Sequence, residues 1–156
     1  MSIRFDPEAR NLLAGINEVL CSLETGNMFA TIGVLSWSRE HGLRYSLAGH
    51  PPMLLCREEV QLLSSQNLPV GLFPKTIFES TGIEAHCGDV LAILTDGLTE
   101  VVNSSGEEMG LDAIASTLRS LRDRPLAEIA AAIFEQADKH GPRTDDQSLL
   151  FVRRVK

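Results

Sequence analysis

The sequence predicts an α+β fold in which antiparallel β-sheets form a sandwich flanked by helices. The predicted order of elements is one helix, several strands, two helices and a final strand. This order differs from the regular alternation of strand and helix that parallel sheets show. The strands of the middle section follow one another as hairpins. Several of them are apolar on both faces, so they need a packed layer on each side.

The first element is a helix that begins near Asp6. Asp6 can act as the N-cap, Pro7 suits the first helical position, and Glu8 is favourable near the positive end of the helix dipole. Apolar residues then recur at helical spacing and form one face: Leu12, Leu13, Ile16, Val19, Leu20 and Leu23. Gly26 and Asn27 are expected to end the helix.

Two hairpins are predicted next. The segment 28–37 is rich in β-branched and aromatic residues, and after a polar turn at 38–42 the segment 43–48 returns as a second strand. Gly49 and the prolines that follow break this strand. The short apolar runs Met53–Cys56 and Val60–Leu63 predict the second hairpin.

The remaining elements surround one strongly apolar run, Val90–Leu94, which predicts a strand buried on both faces. Before it, the apolar loop 68–74 contains two prolines and a glycine and is expected to be packed down, and 77–85 is expected to be a strand. After it, Asn103 to Gly106 predict a turn. The final elements are helices at 111–121 and from Pro125 to Gly141, and a strand at 148–152.

Composition limits the possible functions. The chain has 156 residues, of which 44% are hydrophobic, enough for a single domain over residues 1–156. Its net charge of −7 argues against nucleic acid or an anionic membrane as the partner, whereas excess carboxylates can hold divalent cations. Three widely spaced cysteines predict neither a disulfide framework nor a zinc site. With no leader or membrane span in the sequence, we expect a cytoplasmic protein.

Carboxylates stand at the ends of two apolar strands. Asp96 follows the run Val90–Leu94, and Asp145 and Asp146 precede the last strand. If these strands are antiparallel neighbours, the three carboxylates lie at the same edge of a sheet. A cation such as Mg²⁺ or Mn²⁺ would offset their repulsion, and a pair of such ions can orient hydroxide for attack on phosphorus. Gly97 lets the backbone turn sharply or lets a ligand come close.

Structural roles are the alternative. Asp96 can simply start a turn or cap the segment that follows it, and from the pattern alone we favour this role. Asp145 and Asp146 can pair at the surface with nearby basic residues, which are Arg143, Arg153 and Arg154.

Five segments in order resemble the SpoIIE-type serine phosphatases, the bacterial branch of the metal-dependent 2C class of protein phosphatases. They are AGHPPMLL at 48–55, LPVGLFP at 68–74, GDVLAILTDGLTE at 88–100, GEEMG at 106–110 and DDQSLLFV at 145–152. Each segment is weakly specific, but together they are specific, and the resemblance runs from about residue 6 to the C-terminus. It favours a functional role for Asp96.

The resemblance implies a fold, a chemistry and a partner. The family folds as two antiparallel sheets sandwiched between helix pairs and hydrolyses phosphoserine or phosphothreonine with water activated at a two-metal Mn²⁺ or Mg²⁺ centre. Asp96 and Asp145 match metal ligands of the family, and Asp146 is a weaker candidate. Phosphorylated anti-sigma-factor antagonists are the usual substrates, so the resemblance implies a role in sigma-factor regulation of stress or development.

The sequence also departs from the family. The family's GGD-type and GD-x-x-GHG-type N-terminal segments, which supply further ligands, are absent, so the N-terminal strands are expected to be missing. Leu47 replaces the asparagine that commonly precedes AGH, and Gln147 and Ser148 stand where a hydrophobic residue and threonine are usual. The isolated chain is therefore expected to be weakly active or inactive. The alternatives are a catalytically inactive phosphatase-like module that binds a partner or self-associates, and a homodimer in which two chains complete each other's sheets.

Two further residues have a choice of roles. His50 can be a ligand or an acid-base group, but its position between a glycine and two prolines favours a structural role in that turn. Glu100 can be an acid that lies near the metal ligand Asp96 without binding the metal itself, or it can be a glutamate at the start of a helix.

Overall fold

The computed structural model describes residues 9–23 and 28–155 of the chain. The predicted helix start at Asp6 and the predicted helix end at Gly26 and Asn27 lie outside these residues. The helices are α1 (Ala9–Ser22), α2 (Asp96–Thr99), α3 (Gly110–Ser120) and α4 (Leu126–His140). The strands are β1 (Ile32–Ser38), β2 (Gly42–Ala48), β3 (Met53–Cys56), β4 (Val60–Leu63), β5 (Thr81–Ile83), β6 (Val90–Leu94) and β7 (Leu149–Arg153).

The chain divides into two compact units. The first unit contains Met1–His50 and Ser64–Ala85, and the second contains Pro51–Leu63 and His86–Lys156. Each has its own sheet: β1-β2-β5 in the first and β4-β3-β6-β7 in the second, with every named pair antiparallel. The predicted antiparallel sheets with accompanying helices are thus confirmed. Among the residues that the structure describes, no helix is long and apolar enough to cross a membrane.

In the first unit, α1 packs against the hairpin formed by β1 and β2. The small core there contains Leu13, Ala48, Val70 and Phe78. The buried side chain of Asn17 fixes the loop 68–74 to α1, because its Nδ2 donates to the Phe73 carbonyl at 3.0 Å and its Oδ1 accepts from the Gly71 N–H at 2.7 Å.

Two predictions for this unit need correction. The strand expected at 77–85 is limited to Thr81–Ile83, which pairs with β2, and Ile77 is 87% exposed. The loop 68–74 is only partly packed down, since Val70 is buried whereas Leu68 and Phe73 are exposed. Apolar composition alone therefore overstated the packing of both segments.

The second unit has the larger core. The face of its sheet that carries alternate residues of β3 and β6 packs with α3 and α4, and this core includes Leu54, Val90, Leu94, Ile114 and Ile133. Cys56 is also buried in it, and burial raises the pKa of its thiol. The helices match their predicted positions, with Pro125 as the N-cap of α4 and Gly141 as its C-cap.

The strands of this sheet differ in burial. Strands β3 and β6 are buried along nearly their whole length, as predicted for the central run. Strand β7 lies at one edge of the sheet and alternates between half-buried and exposed residues. Its apolar composition had indicated cover on both faces, but only the face with Leu149 and Phe151 packs against the core of the unit.

Candidate metal centre

The pairing of β6 with β7 brings the predicted carboxylate segments together. The two strands are antiparallel neighbours with Leu94 opposite Leu149. Asp96 directly follows Thr95 at the end of β6, and Asp145 and Asp146 lie shortly before the start of β7. In an antiparallel pair, the C-terminal end of one strand lies beside the N-terminal start of its neighbour. The segment after β6 and the segment before β7 therefore leave the sheet at the same place.

Thr95 joins the two segments. Its backbone N–H donates to the Ser148 carbonyl at 3.1 Å, and its hydroxyl accepts from the Ser148 N–H at 2.9 Å. The same hydroxyl donates to the Asp146 carbonyl at 3.2 Å. Thr95 occupies the N-cap position of α2 without making a side-chain cap bond, so its side chain connects strands rather than capping the helix.

Gly97 allows the backbones of the two segments to come into close contact. It is buried in α2, and a Cβ atom built on it would overlap the carbonyl oxygen of Asp146 and lie 3.0 Å from the Asp146 carbonyl carbon. No side chain fits there without displacing backbone. The group that comes close to this glycine is the chain's own backbone.

Gln147 provides a third connection. Its Nε2 donates to the Gly97 carbonyl at 3.0 Å. Its Oε1 is buried and lacks a hydrogen-bond partner within the part of the chain that the structure describes. A buried acceptor without a donor is costly, so this oxygen can accept from water or from a hydrated ligand at the site. Sequence reasoning recorded Gln147 only as a departure from the family pattern.

The carboxylates themselves are exposed and only partly engaged. Asp96 Oδ1 accepts from the Gly97 N–H at 3.0 Å, and Asp145 Oδ1 accepts from the Asp146 N–H at 2.7 Å. These local bonds belong to the turn role considered above. Each uses one oxygen of its carboxylate, which leaves the other available to a ligand.

The alternative of ion pairing is not what the structure shows. Over residues 9–23 and 28–155, no ion pair involves Asp96, Asp145 or Asp146. Arg143 instead lies 3.7 Å from the Asp138 carboxylate. The guanidinium of Arg153 donates to the backbone carbonyls of two residues after α3, Arg122 and Arg124.

The residues present fit part of a Mn²⁺ or Mg²⁺ site. Carboxylate oxygens are the hard donors that these ions prefer. Gln147, which follows Asp146 in the chain, has a buried Oε1 without a hydrogen-bond partner among the described residues. Mg²⁺ often uses one or two carboxylates and keeps several waters. Among the described residues, however, no three His, Cys, Asp or Glu side chains come together as a metal-binding group.

Glu100 and His50 have positions of their own. Glu100 ends α2 instead of beginning a helix, and its N–H donates to the Asp96 carbonyl at 2.8 Å. His50 belongs to the first unit and is half-buried. Its ring lies 3.4 Å from where a Cβ atom on Gly33 would be. It therefore lies close to the start of β1.

One buried carboxylate was not singled out from the sequence. Asp89, at the other end of β6, accepts from Arg57 Nε at 3.0 Å and from the His86 N–H at 2.7 Å. These bonds fix the turn that leads into β6. The only sequence signal was the Gly88-Asp89 pair, which is typical of any turn.

Comparisons with known proteins agree with this fold. The sequence profile of the family described as Stage II sporulation protein E (SpoIIE) matches residues 3–155. Among curated protein sequences, none matches the chain.

The solved structures that are similar to this chain include the following three. The SiaA-PP2C domain of Pseudomonas aeruginosa has a TM-score of 0.82 and 19% identity over 94% of this chain and 61% of that one. The structure of the RsbU and RsbW domains of Rv1364c from Mycobacterium tuberculosis has a TM-score of 0.77 and 24% sequence identity. The match covers 95% of this chain and 42% of that one. The PP2C phosphatase domain of SpoIIE from Bacillus subtilis, solved with a fragment of its regulatory domain, has a TM-score of 0.76 and 22% sequence identity. The match covers 94% of this chain and 44% of that one. The chain thus spans less than two thirds of each of these structures.

Proposed function

This chain belongs to the SpoIIE family, and we propose that it forms the C-terminal part of a metal-dependent protein serine/threonine phosphatase. The observation that carries this proposal is the contact between the segment after β6 and the segment before β7. It places Asp96 and Asp145 on two segments of the chain whose backbones are in contact at Gly97 and Asp146. Together with the similar PP2C domains, this contact supports a shared metal site.

Asp96 and Asp145 would hold the metal, and Asp146 is the weaker candidate for a third ligand. A bound Mn²⁺ or Mg²⁺ pair supplies a polarised water and neutralises charge on the phosphoryl group. The residues of this chain keep the ligands in place. Thr95 and Gln147 hold the two segments at a fixed spacing through hydrogen bonds of 2.9 to 3.2 Å.

The proposed substrate is a phosphorylated regulatory protein of the cytoplasm, of the anti-sigma-factor antagonist type that the family resemblance implies. The exposure of all three aspartates supports a macromolecular substrate, since a phosphorylated side chain on another protein can reach them. The net charge of −7 makes nucleic acid an unsuitable partner.

An activity comparison tests the proposal. The chain alone is compared with a fusion in which GGD-type and GD-x-x-GHG-type segments, as the family resemblance implies them, precede it, with a phosphoserine protein as substrate in Mn²⁺. We expect the fusion to be at least about a hundredfold faster than the chain alone, because the added ligands complete the metal site. Asp96→Asn or Asp145→Asn in the fusion should each lower kcat/KM by about 10²- to 10³-fold.

The matched control is Asp123→Asn, which removes an aspartate that is 91% exposed in the turn after α3. It should leave the rate of the fusion unchanged. Full activity of the unfused chain, or full activity of the fusion after either Asp96→Asn or Asp145→Asn, would show that the proposed assignment is wrong.

A further inference from the structure

A short hairpin follows α2, and hydrogen bonds hold it in one conformation. It spans residues 101–109, and both of its ends, Val101 and Met109, are buried in the core of the second unit. The Met109 N–H donates to the Val101 carbonyl at 2.9 Å. At the turn, the Asn103 N–H donates to the Glu107 carbonyl at 3.0 Å, and Asn103 Oδ1 accepts from the Glu107 N–H at 3.0 Å. The 101–109 hairpin is therefore fixed both at its base and at its turn.

The end of α4 contacts this hairpin at two points. Nε2 of His140 lies 2.9 Å from the Glu107 carbonyl oxygen, and since a carbonyl can only accept, this nitrogen carries the proton and donates. A Cβ atom built on Gly141 would overlap the Val102 carbonyl oxygen and lie 2.8 Å from the Val102 carbonyl carbon. The φ angle of Gly141 is −172°, which any residue can adopt. Glycine is therefore needed here for the close approach of the hairpin and not for its backbone angle.

The chain that leaves this contact leads directly to Asp145. Three residues separate Gly141 from Asp145. At the far end of the stretch 141–146, the backbone of Asp146 is in close contact with α2. The stretch is thus held at both ends, by the hairpin and by α2. Because the hairpin itself follows α2, which begins with Asp96, two contacts rather than one set the position of Asp145 relative to Asp96.

We propose that the 101–109 hairpin holds the stretch that carries Asp145, with His140 and Gly141 as positioning residues that do not touch the metal. This inference rests on the proposed metal site. A carboxylate on a loop that is held at both ends stays in a narrow range of positions, which a metal ligand requires. Loss of a group that orients a metal ligand typically lowers metal affinity by about 10- to 100-fold.

Amide hydrogen exchange without metal tests whether the hairpin holds this stretch. The Ser148 N–H donates to the Thr95 hydroxyl, so its exchange reports whether the segment before β7 stays against the segment after β6. His140→Leu removes the donor to the Glu107 carbonyl and should speed this exchange by about three- to tenfold relative to amides at the centre of β6. His140→Gln supplies an amide donor in place of the ring and should restore the parent rate.

Calorimetry with Mn²⁺ tests the consequence for the site. Gly141→Ala should push the hairpin away from the end of α4 and weaken Mn²⁺ binding at least about tenfold. His140→Leu, which causes no backbone clash, should weaken it by about three- to tenfold, and His140→Gln should restore the parent affinity. If Gly141→Ala does not fold, the two His140 variants decide the outcome.

The matched control is Thr117→Val. It removes the hydrogen bond of 2.7 Å from the Thr117 hydroxyl to Gln136 Oε1, which joins α3 to α4 away from the hairpin. We expect a lower melting temperature but unchanged exchange at Ser148 and unchanged Mn²⁺ affinity. A loss of stability alone therefore cannot account for the effects expected of His140→Leu.

Parent-like exchange at Ser148 in both His140→Leu and Gly141→Ala would overturn the inference. It would also be overturned if Thr117→Val speeds that exchange as much as His140→Leu does, or if His140→Gln behaves like His140→Leu. The exchange measurement needs no metal. Faster exchange in His140→Leu, in a parent chain that binds no Mn²⁺, would support the role of the hairpin and count against the metal site alone.

Discussion

The single substitution Gly97→Ala should both destabilise the protein and weaken metal binding. The new methyl group would overlap the Asp146 carbonyl oxygen, a backbone atom that cannot move without moving the segment before β7. Overpacking of this kind costs about 1 to 3 kcal/mol. For a chain of this length we expect the melting temperature to fall by about 3 to 10 °C. Relief of the clash would separate Asp96 from Asp145, so Mn²⁺ affinity should fall by at least about tenfold.

Thermal unfolding and Mn²⁺ calorimetry measure these two effects. Gly15→Ala is the control, because Gly15 lies inside α1 and a Cβ atom there meets nothing within 4 Å. Replacing a helical glycine should stabilise the protein by about 0.5 to 1 kcal/mol and leave Mn²⁺ affinity unchanged. If Gly97→Ala keeps both the parent stability and the parent affinity, the two segments are not held together as described.

Leu98→Ala should have the largest effect on stability alone. Leu98 is fully buried in the core of the second unit and anchors α2, which begins with Asp96. Truncating a leucine at such a site costs about 2 to 5 kcal/mol, through lost burial and the cavity that remains. Urea unfolding followed by circular dichroism measures the change in the free energy of unfolding.

Leu12→Ala is the matched substitution for Leu98→Ala. Leu12 is 42% exposed on α1, and alanine is the best helix former, so its loss should cost less than about 1 kcal/mol. Equal costs for the two substitutions would contradict the burial that the structure assigns to Leu98.

The sequence was sufficient to predict the central part of the fold. The run Val90–Leu94 is apolar and β-rich and is bounded by turn residues at both ends, so local pattern and burial agree. The position of α4 was also predictable, since Pro125 stands at its start and Gly141 at its end. In the sequence analysis the site was conditional on antiparallel pairing of β6 with β7, and the structure shows that pairing.

The sequence was not sufficient where distant contacts decide the structure. The loop 68–74 is fixed by Asn17, more than fifty residues away, through two hydrogen bonds that no local pattern indicates. The segment 77–85 is apolar enough for a strand, but only Thr81–Ile83 finds a partner in β2. Availability of a neighbour, rather than propensity, set the length of that strand.

The roles of Thr95 and Gln147 depend on a contact between segments about fifty residues apart. Threonine after an apolar strand is commonly read as a cap, and glutamine in a loop as a surface residue. Their hydrogen bonds to the opposite segment appear only once β6 and β7 are paired. Neither residue type carries a motif that distinguishes this role.

The most direct test of the account is a calorimetric titration of the chain with Mn²⁺. The parent chain should bind with a dissociation constant on the order of micromolar to low millimolar, because two carboxylates and water can hold such an ion. Asp96→Asn and Asp145→Asn should each abolish binding, and Asp123→Asn should leave it intact. Absence of binding by the parent chain, or binding that survives both Asp96→Asn and Asp145→Asn, would contradict the claim that these two aspartates form part of one metal site.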